Sequence, residues 1–288
     1  MKVLVIGGSG FIGSSFIKRW GQSLPVRDIL YPAHSDLDLV NYDAVQTFVK
    51  DQNVTHIVHC AHVTKKSLNG ARQLADNLAM VANIVKAADC KLPIILLTSG
   101  SVYRETYVGL YKEEQDVYFP SKEPAYSLWV ISQFCQRLSL SNLVELRLFG
   151  VYGPGEPIWR LPSYCLVQAI HRKPIVIEEN RKMSWIYVYD LCDIIKDLIF
   201  FPKSGVFNTA TENAHVTDIA TMAVDIAKNL REGVDSEIVI KGYGKDYTGD
   251  FGKFNGYFHF PPTPLKMGIS HMYEKIMEES NDSKSRRV

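Results

Sequence analysis

The chain lacks an excess of charge of either sign, a long apolar run and any paired cysteine motif, and each absence removes a class of function. Lys+Arg and Asp+Glu, 32 against 31, leave a formal net charge of +1. No broad field therefore gathers nucleic acid or an anionic membrane, and any phosphate recognition is local. No stretch of about 18 apolar residues occurs, and Lys2-Val-Leu-Val-Ile-Gly7 carries neither a charged leader nor a small-residue cleavage site. The expectation is a cytoplasmic protein, neither exported nor membrane-spanning. Cys60, Cys90, Cys135, Cys165 and Cys192 are scattered without Cys-x-x-Cys spacing, which predicts reduced thiols and no zinc site or disulfide framework. Internal repeats are also absent.

Present instead are short apolar runs at Val3–Ile6, Ile29–Tyr31, His56–Cys60, Ile94–Thr98, Val144–Phe149, Ile175–Ile177 and Val206–Asn208, which read as buried parallel strands. Helical patterns at Ile12–Trp20, Asp43–Asp51, Ala71–Ala88 and Ala125–Ser139 alternate with the early ones. Such alternation predicts right-handed βαβ units and an α/β fold with a Rossmann-type doubly wound parallel sheet. Beyond Gly153-Pro-Gly-Glu-Pro157 the rhythm loosens, with helical patterns near Pro162–Arg172, Asp190–Phe201, Val216–Leu230 and His271–Glu279. Residues 242–264, crowded with Gly, Tyr, Phe and Pro, read as an irregular aromatic loop, and Ser280–Val288 as a fraying, flexible tail.

Gly7-Gly-Ser-Gly10-Phe-Ile-Gly13 follows the first strand and opens a helix. In that context the first glycine permits the tight turn, the second a close approach of backbone to a pyrophosphate, and the third close helix–strand packing. Gly7, Ser9, Gly10, Phe11, Ile12 and Gly13 are accordingly the candidate cofactor-binding residues of this turn. The second strand ends in Tyr-Pro-Ala-His-Ser35 with neither the acid that suits NAD nor the arginine that suits NADP. Lys18, Arg19 and His34 are candidates for a 2′-phosphate, solvated positions being the plainer reading of each, so NAD and NADP both stay open.

Further markers accumulate in Asp38-Leu39, Asn77, Thr98-Ser-Gly-Ser-Val-Tyr103, Tyr126 and Arg147-Leu-Phe-Gly-Val-Tyr-Gly-Pro154. With the glycine turn, they make the chain from residue 1 to about 278 resemble the extended short-chain dehydrogenase/reductase family, in its nucleotide-sugar epimerase, dehydratase and reductase branch. The resemblance implies NAD or NADP bound by Asp38 and Leu39 at the adenine, by the strand end Cys60, Ala61 and His62, and by Asn77 and Tyr126. It implies Ser99 holding the substrate oxygen, Tyr126 passing a proton, and Ser101, Tyr103, Arg160 and Arg181 on the substrate side, Arg172 and Lys182 being further phosphate candidates. Residues 1–155, with 184–212 returning to them, would form the NAD(P)-binding domain, and 156–183 with 213–279 a smaller C-terminal substrate-binding region. A homodimer through two helices per subunit is also implied.

The family places a lysine four residues after its tyrosine, on the same helix face, where the ammonium favours tyrosinate. Here that position is Val130. Tyr118-Phe-Pro-Ser-Lys122 has the literal spacing, but Pro120 and Pro124 exclude a continuous helix through it. Pro124 suits the first turn of the next helix, with Ser121 as a cap and Lys122 as a solvated lysine. In Met183-Ser-Trp-Ile-Tyr-Val-Tyr-Asp190 the family's usual Arg-Asp-Phe is replaced, and Gly100-Ser101 stands where a 4,6-dehydratase has Asp-Glu.

His59-Cys-Ala-His62 has the look of a metal clip, but strand alternation favours packing or cofactor contact. The 15 Tyr, 13 Phe and four Trp are not interleaved with basic residues, so they read as core and loop anchors and not as a base-stacking surface. Two functions remain. One is an NAD(P)-dependent epimerase or ketoreductase of a nucleoside-diphosphate sugar or similar carbonyl metabolite; the other, motivated by Val130, is a catalytically impaired dinucleotide-binding scaffold or regulatory subunit.

Overall fold

The structure, a computed structural model, describes residues 1–21, 28–63, 70–103, 110–113, 120, 122–230 and 235–285. Its first half runs β1 (Lys2–Ile6), α1 (Phe11–Trp20), β2 (Asp28–Leu30), α2 (Tyr42–Asp51), β3 (His56–His59), α3 (Gly70–Ala88), β4 (Ile94–Ser99), a 3-10 turn Gly100–Val102, α4 (Ala125–Leu138), β5 (Leu143–Leu148) and β6 (Gly150–Tyr152). The remainder runs α5 (Leu161–Ile170), β7 (Ile175–Ile177), β8 (Lys182–Tyr187), α6 (Val188–Phe200), β9 (Gly205–Thr209), β10 (Glu212–His215), α7 (Val216–Leu230), β11 (Ile238–Ile240), α8 (Gly252–Tyr257) and α9 (Leu265–Ser285).

Strands β2-β1-β3-β4-β5-β9 form one sheet in that order, every pairing parallel. Because successive residues of a strand face opposite sides, a sheet covered on both faces needs strands apolar throughout. In β1, Val3 and Val5 pack with Phe16 of α1 and with Leu191 and Ile195 of α6. Leu4 and Ile6 pack on the other face with Val45 of α2, Ile84 of α3 and Ile131 of α4. Strand order reverses between β1 and β3, so their carboxyl ends diverge and leave the crevice where doubly wound folds bind ligands.

A second core forms beside the sheet from Leu166 of α5, Ala220 and Ala223 of α7, Ile269 of α9, and Trp185 and Tyr187 of β8. Strands β10-β8-β6 make one small sheet and β11-β7 another. Ile175–Ile177, expected among the parallel strands, is parallel but pairs only with β11, outside the main sheet. Within 184–212, β9 joins the main sheet, whereas β8 lies in the small one. The stretch 242–264 is not wholly irregular, since it contains α8, whose Phe254 is buried beneath β9. The segment from Ser280 is helical through Ser285, where it continues α9, whose buried Ile269, Met272 and Tyr273 anchor the helix on the second core. Pro124 takes the N-cap position of α4. Tyr118 and Ser121 lie outside the described residues.

Among the described residues no helix is long and apolar enough to cross a membrane. All five cysteines are unpaired.

Candidate active site

At the switch point, Gly7 has φ +80, and a Cβ on it would stand 2.8 Å from the Ala61 amide nitrogen. Gly13 is tighter still, its Cβ falling 2.3 Å from the Gly7 carbonyl oxygen. The turn is thus clamped between β3's end and α1 in a way that only hydrogen side chains permit. Gly10, N-cap of α1, offers no side-chain hydrogen bond to the helix start, so the first-turn amides of Phe11 and Ile12 are left for an anion. The Phe11 and Ile12 side chains turn to the core behind.

A cavity of about 640 Å³ opens there, lined by Gly7, Ser9, Gly10, His34, Asp38, Leu39, Cys60, Ala61, His62 and Met80, among others. That volume lies within the range of about 300–1,000 Å³ usual for cofactor sites. A backbone cradle too close for any Cβ, an uncapped helix start and an apolar floor together fit a dinucleotide. Asp38 turns its Oδ1 to the Val40 amide at 3.0 Å, and Asn83 of α3 donates to the Leu39 and Val40 carbonyls, both at 2.9 Å, which holds the loop after β2 in place.

Asn77 is not among the cavity-lining residues. Its amide accepts from the Val63 N–H at 2.7 Å and donates to the Val63 carbonyl at 3.1 Å, so its observed role is to hold the loop after β3. Arg19 makes two bonds to Asp193 of α6, at 2.8 and 2.7 Å, and so ties α1 to α6. It is thereby engaged away from any 2′-phosphate. Arg72, which sequence reasoning passed over, does line the cavity, as does His34.

Buried imidazoles sit beside this crevice. His59 is fully desolvated, which lowers its pKa to about 4, with His62 adding to the fall, and His62 is lowered by its own burial. Among the described residues neither ring has a hydrogen-bond partner. Among the described residues no three His, Cys, Asp or Glu side chains gather as a metal set. Burial pushes the Cys60 thiol up to about 12, leaving it neutral and unreactive.

At the carboxyl end of β4, Ser99 Oγ accepts the Ser101 N–H at 3.1 Å. The hydroxyl 3.4 Å from Ser99 Oγ belongs to Tyr247, a residue in the stretch read as an aromatic loop. Tyr126 stands in the first turn of α4, its ring stacked on Trp129 at 6.5 Å between centroids. Trp129, the neighbour of Tyr126, and Tyr247, the neighbour of Ser99, both pack on the cluster of Val102, Tyr103, Tyr111 and Phe149. Lys122 is exposed.

Tyr103 is buried; its hydroxyl donates to Asn208 Oδ1 and accepts from Arg147 Nη1, both at 2.7 Å. Those bonds hold the hydroxyl between Arg147 and Asn208 with one lone pair still open. Ser101 Oγ, in contrast, is buried without a partner among the described residues. Arg160 donates to the Val151 carbonyl at 2.9 Å and sits 6.0 Å from the Phe11 ring, beside the glycine turn. Arg181 lies near Tyr247, where its charge opposes the upward push of burial on that phenol.

The chain is 28% identical over 265 residues to ADP-L-glycero-D-manno-heptose-6-epimerase of Brachyspira hyodysenteriae, covering 80% of each. Its structure is similar to that of a Thermus thermophilus UDP-glucose 4-epimerase in complex with NAD, at 18% identity and TM-score 0.78, covering 96% of this chain and 99% of the other. A GDP-mannoheptose C4 reductase from Campylobacter jejuni with NADP bound is likewise similar, at 19% identity and TM-score 0.80, covering 96% and 98%. The model of the NAD dependent epimerase/dehydratase family matches residues 3–210, and with the glycine cradle at the switch point this means that the chain belongs to that family.

Proposed function

We propose that this protein is an NAD(P)-dependent epimerase or ketoreductase acting on a nucleoside-diphosphate sugar or a similar carbonyl metabolite. The observation that carries the reading is the cavity at the β1/β3 switch point, where Gly7 and Gly13 are packed too closely for a side chain. Amides at the start of α1 take the coenzyme diphosphate, Asp38 and Leu39 border the adenine end, and Ala61 and His62 border the path toward the sugar. The bound nicotinamide supplies or accepts hydride. Ser99 holds the reacting oxygen at the end of β4, and a tyrosine hydroxyl handles its proton. Tyr126 has the family position for that hydroxyl, with Val130 where a cation would stand. Arg160 and Arg181 are the diphosphate-side candidates, because guanidinium forks match phosphate oxygens.

In this reading residues 1–155 and 184–212 serve the coenzyme, while 156–183 and 213–279 cover the substrate. A cytoplasmic location and a homodimer belong to the same proposal. Val130 favours a second reading, a scaffold that binds dinucleotide without turnover. Purified protein incubated with each reduced and oxidised coenzyme and a panel of nucleotide sugars and 4-keto sugars decides between them, by coenzyme absorbance and by product analysis for internal epimerisation. Turnover on any member establishes the enzyme; coenzyme binding with no product across the panel establishes the scaffold.

A further inference from the structure

We propose that Tyr247 is the proton donor to the substrate oxygen held by Ser99, serving in place of the tyrosine–lysine pair that Val130 interrupts. The inference rests on the reductase reading above. Its first support is position: Tyr247 Oη is 3.4 Å from Ser99 Oγ, across 148 residues of sequence. An oxygen about 2.8 Å from both hydroxyls would complete a triangle with them, at ordinary hydrogen-bond lengths. Ser99 Oγ accepts from the Ser101 amide, and either hydroxyl can donate in the Ser99–Tyr247 contact, so an oxygen seated between them would take both hydrogens in place of that contact. Ser101, whose amide makes that bond, carries a buried Oγ with no partner among the described residues.

Rigidity is the second support. The Tyr247 N–H donates to the Lys182 carbonyl at 2.8 Å and its carbonyl accepts from the Ser184 N–H at 3.2 Å, so the residue is stitched to β8 on both sides. Two residues on, Gly249 is pressed so closely on Phe149 that a Cβ would stand 2.5 Å from its ring, and the Gly249 N–H donates to Ser184 Oγ at 3.0 Å. The Tyr247 ring itself rests tilted on Phe149, centroids 5.0 Å apart, and edge-on to Tyr111. A donor fixed in this manner needs little reorganisation when the reaction occurs.

Chemistry follows from the surroundings. Burial raises the Tyr247 phenol above its ordinary range, and the Ser99 contact and the charge of Arg181 only partly oppose the rise. A phenol that stays protonated across neutral pH has its proton in place for the strongly basic oxygen that hydride addition creates, and abstracts poorly. In reduction, a bound reduced nicotinamide coenzyme would supply hydride to the carbonyl carbon, and the C=O π pair would move onto oxygen. That oxygen takes the Tyr247 proton, forming the product O–H as the phenol O–H breaks. Water then reprotonates the phenolate, whose charge Arg181 stabilises meanwhile.

The test is Tyr247→Phe, which keeps the ring packing. Its kcat for a 4-keto nucleotide sugar is expected to fall about 100-fold, the usual scale for loss of a general acid, with coenzyme affinity by calorimetry unchanged. A fall of more than about tenfold with coenzyme affinity kept sustains the proposal; a smaller fall, or equal loss of coenzyme affinity, overturns it. If the wild-type protein turns over nothing, the enzymatic reading fails separately. The inference is then judged by NMR of ¹³C-tyrosine-labelled protein, with the Tyr247 signal assigned by its loss in Tyr247→Phe. Movement of that signal when a nucleotide sugar is added to the coenzyme complex places Tyr247 against ligand, and a stationary signal overturns the proposal.

Discussion

Arg147 sits in the interior with no solvent exposure of its guanidinium, which donates to Glu145 at 3.1 Å, to Tyr103 at 2.7 Å and to Ser132 at 2.9 Å. Glu145 accepts in turn from Thr98 at 2.8 Å and Ser132 at 3.0 Å. The set links β4, β5 and α4 beneath Ser99. Removing the cation would leave a buried carboxylate uncompensated, so Arg147→Ala is expected to lower unfolding stability by about 3–5 kcal/mol. Urea denaturation showing a loss below about 1 kcal/mol would contradict that role. At this scale the glycine turn was legible because its geometry depends on the local backbone at the end of a strand. The bonds of Tyr103 to Asn208 and Arg147, and of Asn77 to Val63, were not legible, since a motif names a residue without revealing which partners the fold gives it. Tyr247 was illegible: nothing in the pattern of residues 242–264 points to Ser99.

The N-terminus of α5 presents a carboxylate where its chain enters the second core. Glu156 Oε1 accepts the Ser163 N–H at 3.0 Å while Arg160 Nε stays 3.7 Å from Oε2. Burial raises its pKa from 4.5 to about 7, against those two partners. Because the folded value lies above the ordinary one, its stabilising contribution is complete below pH 4.5 and is lost as pH rises through about 7. Glu156→Gln is therefore expected to stabilise the protein near pH 8 by on the order of 2 kcal/mol, with little difference near pH 5. Equal effects at both pH values in chemical denaturation would show that the carboxyl is not held in that state. Elements that bury uniform apolar runs, such as β1, β3, β4 and β5, were readable from sequence. Strands β6 and β10 escaped, because each is short and paired only with β8, whose Lys182-Met-Ser-Trp mixes faces. Helix α8 escaped because six residues carry too little periodicity beside its glycines.

Across the whole molecule, the sheet, its two helical layers and the switch point followed from strand–helix alternation, whereas the second core came from packing among α5, α7 and α9 that no local pattern encodes. The buried imidazole at the end of β3 couples the whole fold to acid. Burial lowers His59 from 6.5 to about 4. Its contribution is thus present above pH 6.5 and is lost as pH falls through about 4, and His56 and His62 shift in the same direction. Thermal midpoints are expected to drop between pH 6.5 and 4, and His59→Gln to shallow that slope. An unchanged slope would remove His59 from the acid limb.

The central claim is that backbone amides in the turn between β1 and α1 hold the diphosphate of a nicotinamide dinucleotide. Isothermal titration calorimetry of the folded chain with NAD, NADH, NADP and NADPH addresses it most directly. The account predicts saturable heat at one site per chain with at least one of them; folded protein that gives no heat with any of the four contradicts it.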